Sequence, residues 1–465
     1  MTRQIVLLFL AGLLTGCSSQ ETIEADKVIE NVHVISMNDE EEGEGEGEKV
    51  RQNRTVFIEG DRIVRIAEND RYAADGDADV IDGNGGYLIP GLSEMHAHIP
   101  SGDNDRAYID DVLFLYLANG ITTIRGMLGD PLHLELRRQA EQNELLSPRI
   151  YTSGPGFSGD YESPDEARRQ VRDQHEAGYD FLKIFPGLSL EEYNAMADEA
   201  NTVGIEFSGH IPGSVGLERA LEAGQTTIDH LDKYVEALAA EAVNTDEVEN
   251  PGVIFFGMHL TPDADRERIS EIAGRTAEAG TWNVPTQALS EHVIGTDDPE
   301  TLAERPEFQY MSPETVRQWI ESKQSITGNE AYSEELARDY LQLRREIIKG
   351  LHEEGAGLLL GSDAPQIFNV PGFSVHHELR YIVDAGLTPY EALRTGTYHA
   401  ARYLDDLQNS GTIEEGKVAD MVLLEANPLE EISNSDSIAG VIYRGNWLSG
   451  DEIEERLNAI AEKHQ

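Results

Sequence analysis

Short apolar runs alternate with longer amphipathic stretches through the middle of the chain. Eight runs have the length and composition of buried strands. They are Leu88–Met95, Thr122–Gly126, Arg149–Ser153, Phe181–Phe185, Glu206–Gly209, Thr226–Asp229, Trp282–Thr286 and Leu358–Ser362. Helical patterns between them include 164–177, 190–200, 216–223 and 333–354. This alternation predicts parallel βα units in an α/β fold, with a (β/α)8 barrel of the TIM type over residues 87–405.

Strand patterns of a different kind occupy both ends of the chain. Near the start, an alternating run at 28–36 is followed by two runs that flank the hairpin signal Gly60-Asp61. Near the end, similar runs lie at 421–425 and 441–448. They predict one small β-sandwich domain assembled from residues 27–86 and 406–452.

Two connections are too long for ordinary loops. Residues 233–280 and 288–332 follow the sixth and seventh predicted strands and carry helical patterns of their own. Insertions at these points are expected to lie over the barrel mouth and to shape a pocket there. After the barrel strands, Thr388 and Pro389 have the types that begin a helix, which is predicted to run through Leu404.

The N-terminus has the pattern of a secreted lipoprotein. One positive charge, a short apolar stretch and small residues lead to Cys17, which is the single cysteine of the chain. The stretch is too short for a spanning helix. Residues 1–16 are therefore predicted to be a lipoprotein signal peptide, Cys17 the lipidated residue, and 17–26 a polar tether. Ser18 after the cysteine resembles Gram-negative lipoproteins of the outer membrane, which implies a lipid-anchored protein of the cell envelope that faces the periplasm.

The composition is strongly acidic, with a net charge of −51 and 87 acidic against 36 basic residues. Such a surface repels nucleic acid, so that class of partner is excluded. A solvated acidic shell is the simpler interpretation of the charge, and an acidic patch for a cationic substrate is the alternative. The run 39–48 is low in complexity and is predicted to be a disordered hairpin tip.

Candidate chemistry follows the predicted strands. His96 and His98 end the first, and residues two apart on a strand point to the same side. Four further residues end the fourth, fifth, sixth and eighth strands. These are Lys183, His210, His230 and Asp363. Active sites of (β/α)8 barrels lie where the strands end, so the six residues predict one metal-dependent site.

Each residue has a simpler alternative on its own. A buried histidine is usually a hydrogen-bonded core residue, a lysine between phenylalanines can extend its ammonium to water, and Asp363 could be a turn residue. Their joint placement at strand ends favours the metal site.

This arrangement resembles the two-metal branch of the metal-dependent amidohydrolase superfamily, which includes Xaa-Pro dipeptidases, and it resembles imidazolonepropionase-like lipoproteins. The resemblance lies in Pro90-Gly91-Leu92 before His96-Ala97-His98, in the order of the later ligands, and in the segment 411–420. It covers nearly the whole mature chain. It implies a hydrolase that cleaves an amide or peptide-like C–N bond in a small molecule or dipeptide.

The resemblance also implies a division of roles. His96, His98 and Asp363 would hold one divalent ion, and His210 and His230 the other, with zinc favoured by the ligand types. Lys183 would bridge the two ions as a carbamate. The ions would activate a water and polarise the scissile carbonyl, and Asp363 would move the proton to the leaving nitrogen.

Three alternatives stay open. A one-metal deaminase is disfavoured because such enzymes place an acid three residues after the fifth-strand histidine, whereas here His210 is followed by Ile211-Pro212-Gly213. Imidazolone-ring hydrolases lack a bridging lysine, so the presence of Lys183 disfavours them as well. A metal-dependent lactone or phosphotriester hydrolase would use the same ligands. A binding lipoprotein on a degenerate barrel is the non-enzyme alternative. Whether the chain forms a homo-oligomer is left open.

Three residues near strand ends are candidates for contact with substrate. Arg125 lies near the end of the second strand, where a guanidinium could grip a carboxylate. A structural ion pair is its alternative. Tyr234 could bond the carbonyl oxygen, and His376, beyond strand eight, could touch substrate or cap a helix.

Overall fold

A computed structural model describes residues 21–38, 49–69, 71–159, 161–239 and 257–464. The predicted signal peptide, Cys17 and the acidic run 39–48 lie outside these ranges. The strands are β1 Glu21–Glu24, β2 Lys27–Val34, β3 Arg51–Glu59, β4 Arg62–Glu68, β5 Tyr72–Asp75, β6 Asp79–Pro90, β7 Leu92–Ala97, β8 Ile121–Gly126, β9 Arg149–Thr152, β10 Phe181–Ile184, β11 Glu206–Gly209, β12 Thr227–Asp229, β13 Trp282–Val284, β14 Met421–Leu424, β15 Ile438–Tyr443 and β16 Asn446–Ser449.

The α-helices are α1 Arg106–Ala118, α2 Pro131–Glu141, α3 Pro164–Ala177, α4 Leu190–Val203, α5 Gly216–Ala223, α6 Tyr234–Leu238, α7 Ile269–Ala279, α8 Gln287–Ile294, α9 Pro299–Leu302, α10 Pro313–Thr327, α11 Glu334–Glu353, α12 Phe373–Asp384, α13 Pro389–Thr395, α14 Tyr398–Tyr403 and α15 Gly450–Glu462. Short 3-10 helices lie at Met258–Asp263, Arg266–Arg268, Pro306–Tyr310 and Ile432–Asp436. Within the described ranges, none of these helices has the length and apolar content to cross a bilayer.

The barrel strands form two parallel sheets, β7-β8-β9 and β10-β11-β12-β13. A parallel bridge between Ser153 and Phe181 joins them. The eighth predicted strand is not regular, but Leu358 bridges to Asn283, and Ala364 bridges to Ala97. These bridges close the ring of parallel segments, so the predicted α/β fold with eight βα units is confirmed.

The terminal domain is a seven-stranded sheet in the order β16-β15-β14-β6-β2-β3-β4. Strand β14 pairs with β6 in antiparallel register, with Met421 opposite Pro90 and Leu424 opposite Tyr87. Both ends of the chain therefore build one sheet, as predicted. Buried apolar side chains of this sheet, which include Ile29, Ile58 and Ile442, form one cluster.

Boundaries and elements of the structure differ from the prediction in several places. Leu88–Pro90 belongs to the terminal sheet, and the first barrel strand begins at Leu92, because Gly91 lies between two separately paired strands. The predicted tether is wrong for Glu21–Glu24, which pairs in parallel with β5. The helix α15 was not predicted, although Ser449 and Glu452 form a capping box at its start.

Side-chain contacts define the start of α13 and the position of one insertion. Thr388 caps α13 as predicted, and its side chain and Glu391 bond reciprocally. The single helix predicted to run through Leu404 is instead two helices, α13 and α14. In the insertion 288–332, Phe308 and Trp319 pack on Phe368, with ring centroids 5.7 and 6.3 Å away. The second insertion is thus anchored on the loop that follows Asp363. Its role in shaping a pocket stays a prediction.

Candidate metal centre

The His-x-His pair ends strand β7 and faces the carboxylate of Asp363. Oδ1 of Asp363 lies 2.5 Å from His98 Nε2 and 3.5 Å from His96 Nε2. His96 is fully buried, whereas the side chain of His98 keeps 16% of its surface exposed. Burial lowers the pKa of His96 to about 4, so its imidazole is neutral and suited to a metal.

Asp363 occupies a strained turn that its neighbours hold in place. Its φ is +64°, a left-handed conformation that costs a non-glycine residue about 1–3 kcal/mol. Its backbone N–H donates to His96 O at 3.0 Å. The preceding Ser362 donates through N and Oγ to the buried carboxylate of Glu94, and accepts at O from Asn369. Burial raises the pKa of Glu94 to about 8.

His210 and His230 lie together after strands β11 and β12. Their rings stack with centroids 4.5 Å apart, and the His230 ring lies 4.7 Å from that of His96. Burial, and then His210, holds the pKa of His230 well below its ordinary value.

An oxygen faces the Nδ1 atom of three histidines. Asp229 Oδ2 lies 3.0 Å from His96 Nδ1, and Asp232 Oδ2 lies 2.8 Å from His210 Nδ1. Thr286 Oγ1 lies 2.9 Å from the Nδ1 of the third ring, His230. Metal-ligating histidines usually engage an oxygen in this way and bind the ion through the opposite nitrogen. In this geometry Nε2 is the ring nitrogen through which each of the three histidines would bind an ion.

Lys183 points into the barrel from β10. Its Nζ is buried, has no hydrogen-bond partner among the described residues, and lies 3.6 Å from Asp229 Oδ2. Burial lowers the pKa of Lys183 below its ordinary value, although Asp229 and Asp363 oppose this shift. The aromatic ring of Phe185 lies 5.7 Å from the same Nζ.

Asp229 is a site residue that the sequence reasoning missed. It is fully buried, and Thr227 Oγ1 donates to its Oδ1 at 2.8 Å. Burial alone would raise the pKa of this carboxyl, but His96, Lys183 and Arg125 hold it well below its ordinary value. The signal available in the sequence was its position directly before His230 at the end of a strand.

The residues present fit a metal centre. His96, His230 and Asp363 place one ligand atom each within 4.8 Å of one another. Lys183 Nζ is a buried polar atom without a hydrogen-bond partner in the described part of the chain. Buried polar atoms of this kind are rare unless an ion or another group satisfies them. All six predicted ligands converge, whereas their division between two ions stays a prediction.

The prediction for Arg125 is wrong. Its guanidinium is fully buried and donates to Ser208 Oγ at 2.6 Å and to Thr227 Oγ1 at 3.0 Å. It also lies over the rings of Phe181 and Tyr403. Ser208 and Thr227 precede the candidate ligands His210 and His230 in the chain, so Arg125 packs in the barrel interior beneath these histidines rather than at the mouth.

The predictions for Tyr234 and His376 are also wrong. The hydroxyl of Tyr234 donates to Asn283 Oδ1 at 2.7 Å and contacts Thr276 of α7, so the ring packs between the barrel and a surrounding helix. His376, only 2% exposed, places Nδ1 3.0 Å from Ser435 Oγ, beside the terminal domain. Neither side chain lies at the ligand cluster, because each turns toward an interface between secondary-structure elements.

The sequence profile of the Amidohydrolase family matches residues 87–448, which include every residue of the cluster. The chain belongs to the amidohydrolase family. Amidohydrolase-family membership, together with the ligand cluster, makes it a metal-dependent hydrolase of carbon–nitrogen bonds.

Individual relatives are distant. Imidazolonepropionase of Acinetobacter baumannii is 24% identical over 445 residues, which cover 91% of this chain and 96% of that protein. The crystal structure of a putative prolidase from Bifidobacterium longum has a TM-score of 0.64 at 22% identity, covering 93% of this chain and 98% of its own. A structure of a Xaa-Pro dipeptidase with bound methionine has a TM-score of 0.62 at 20% identity, and the match covers 91% of this chain and 100% of that chain. The structural likenesses establish the amidohydrolase fold.

Proposed function

We propose that the protein hydrolyses the amide bond of a small dipeptide-like substrate with two divalent metal ions. The observation that carries the proposal is the convergence of four histidines, Lys183 and Asp363 at the strand ends. The named functions of the relatives, which include prolidase and Xaa-Pro dipeptidase, support this substrate class.

The proposed ligand sets follow the geometry of the cluster. His96, His98 and Asp363 would hold one ion, since the Asp363 carboxylate faces both rings. His210 and His230, whose rings stack, would hold the other. Imidazole and oxygen ligands suit zinc. Bound at this site, the ions would supply water activation and polarisation of the scissile carbonyl.

Lys183 is proposed to bridge the two sets as a carbamate. Its free amine adds carbon dioxide through a new N–C bond and loses one proton, which gives an anion with two oxygens. Burial favours the neutral amine that this addition needs. Nothing in the described surroundings accepts a hydrogen bond from Nζ, so the amine is not committed to another partner.

Asp363 is proposed to move the proton. Its carboxyl lies among the ligands, and His96 and His98 hold its pKa below the ordinary value although burial opposes them. It is therefore ionised at neutral pH and can accept a proton from the attacking water. It then returns that proton to the leaving nitrogen, which completes hydrolysis.

We propose the cellular location of the protein from its sequence alone. The pattern ending in Cys17 supports a lipid-anchored envelope protein, with the enzyme in the periplasm and held to the outer membrane.

The test combines metal counting with a substrate panel. Purified protein is depleted with a chelator, reconstituted with Zn²⁺, and assayed on Xaa-Xaa dipeptides and N-acyl amino acids, with lactones and a phosphotriester as the competing classes. We expect two ions per chain and turnover of amides that disappears on depletion. One ion per chain would favour a one-metal centre built on His96, His230 and Asp363. Turnover restricted to lactones or phosphotriesters would overturn the amide assignment.

A further inference from the structure

Arg344 is a buried arginine that the proposed chemistry does not use. It lies on α11, is 1% exposed, and donates its hydrogen bonds to uncharged oxygen atoms. An unpaired buried guanidinium is costly unless its donors are satisfied. Here two of the donor nitrogens bond to backbone carbonyl groups that follow two barrel strands.

The guanidinium joins the segments that follow β12 and β13. Nη1 donates to the carbonyl oxygen of His230 at 2.7 Å, and Nη2 donates to that of Pro285 at 2.6 Å. Nε donates to the side chain of Gln287 at 2.9 Å. One rigid, planar group therefore fixes the backbone of a proposed metal ligand relative to the next strand end.

The backbone held in this way is strained. His230 and Thr286 have φ values of +63° and +48°, in the left-handed region that disfavours side chains with a Cβ. Thr286 also carries the Oγ1 atom that faces His230 Nδ1. If the turn relaxed, both the ligand and the group that orients its ring would move.

A second buried residue holds the same turn from another helix. Glu378 of α12 is fully buried and accepts from the backbone N–H groups of Gln287 at 2.9 Å and Ala288 at 2.6 Å. Arg344 thus binds the carbonyl before Thr286, and Glu378 binds the amides after it. Neither residue is close to Thr286 in sequence.

We propose that Arg344 and Glu378 are positioning residues that fix the turn 285–288 and thereby orient His230 for metal binding. The inference rests on the proposed function, because it takes His230 to be a metal ligand. It concerns affinity and ligand geometry, and it assigns neither residue a contact with substrate.

The test measures metal binding separately from turnover. Metal-free Arg344→Lys is titrated with Co²⁺ and Zn²⁺ against a competing chelator, and the visible Co²⁺ spectrum is recorded. A lysine ammonium lacks the planar fork with which Arg344 bonds two carbonyls and the Gln287 side chain at once. We therefore expect affinity at one site to fall by about 10–100-fold and the Co²⁺ bands to shift. Arg345→Lys is the matched control, because Arg345 neighbours Arg344 but pairs with Glu291. Its affinity should stay within about twofold.

Folding is checked by the melting temperature of the metal-free proteins. If Arg344→Lys fails to fold, Glu378→Gln decides, since its single amide oxygen can replace the carboxylate toward only one of the two N–H groups. Unchanged affinity and spectrum in a folded variant would overturn the positioning role. A wild-type protein that binds no metal would instead overturn the proposed function.

Discussion

The Nζ atom of Lys183 lies 3.6 Å from Oδ2 of Asp229, and both atoms are buried. The carboxylate stabilises an ammonium at Lys183, whereas burial favours the neutral amine. A carbamate would instead place a second negative charge beside Asp229. In a low-dielectric interior that repulsion is strong unless cations offset it. Metal binding and carbamate formation should therefore be coupled.

The first prediction follows from that coupling. The carbon dioxide adduct on Lys183 should be present in metal-loaded protein and lost from metal-depleted protein, because the ions offset the repulsion between the carbamate and Asp229. Native mass spectrometry in bicarbonate buffer measures the adduct, with Lys183→Ala as the control. An adduct of equal occupancy without metal would show that the two events are independent.

The second prediction concerns Lys183 as a bridge. Lys183→Ala should lose most of the bound metal and the turnover, and added acetate or propionate should restore part of the rate by supplying a carboxylate. Lys183→Arg should not recover, since guanidinium stays charged. Metal content and kcat are measured together. Two ions per chain with normal kcat in Lys183→Ala would remove the residue from the centre.

The third prediction concerns proton transfer. Asp363→Asn should lower kcat by roughly two to four orders of magnitude, because the amide cannot accept the proton from water. The surrounding hydrogen bonds to Ser362 and Ala364 do not involve the replaced oxygen, so the fold should persist. Steady-state kinetics at saturating metal measures the effect. A near-normal kcat would assign the base role elsewhere.

The fourth prediction concerns the carboxylate behind His210. Asp232→Asn should lower metal affinity by about 10–100-fold, because Asp232 Oδ2 lies 2.8 Å from His210 Nδ1 and sets its tautomer. Chelator competition measures it. Asp165→Asn, on an exposed helix end, is the control. Equal affinities for the two variants would contradict the orienting role.

The fifth prediction concerns Lys323, whose Nζ donates to two backbone carbonyls in the insertion. Burial lowers the pKa of Lys323 from 10.5 to about 8. Between these values the unfolded chain holds a proton that the folded chain has lost, so stability rises with pH by up to about 1.4 kcal/mol per unit. Relative to Lys323→Met, the metal-free wild type should therefore gain melting temperature from pH 8 to 10. A constant difference would indicate an unshifted group.

The sixth prediction concerns the membrane anchor. Cys17→Ala should yield soluble protein or an unprocessed precursor, because the lipid attachment point is removed. Membrane fractionation and intact mass measure the result. Fully processed Cys17→Ala protein that still sediments with membranes would show that another feature provides the attachment.

The sequence by itself determined the βα alternation and the six candidate ligands. Periodicity and strand-end position are local properties, and parallel strands bring their carboxyl ends to one face of a barrel. Lys183, His210, His230 and Asp363 could therefore be assigned to one site although long segments separate them. The assembly of both chain ends into one sheet could also be predicted from the sequence, since both ends carry strand patterns.

The tertiary structure decided what surrounds those ligands. Arg125 lies near the end of strand β8, as the candidate ligands lie near strand ends, yet its side chain packs beneath them, because depth within a barrel depends on strand stagger and packing. Asp229 and Arg344 gain their roles from neighbours far away in sequence, such as Lys183 and Pro285. Such contacts arise from packing between elements, and no local pattern of residue types encodes them.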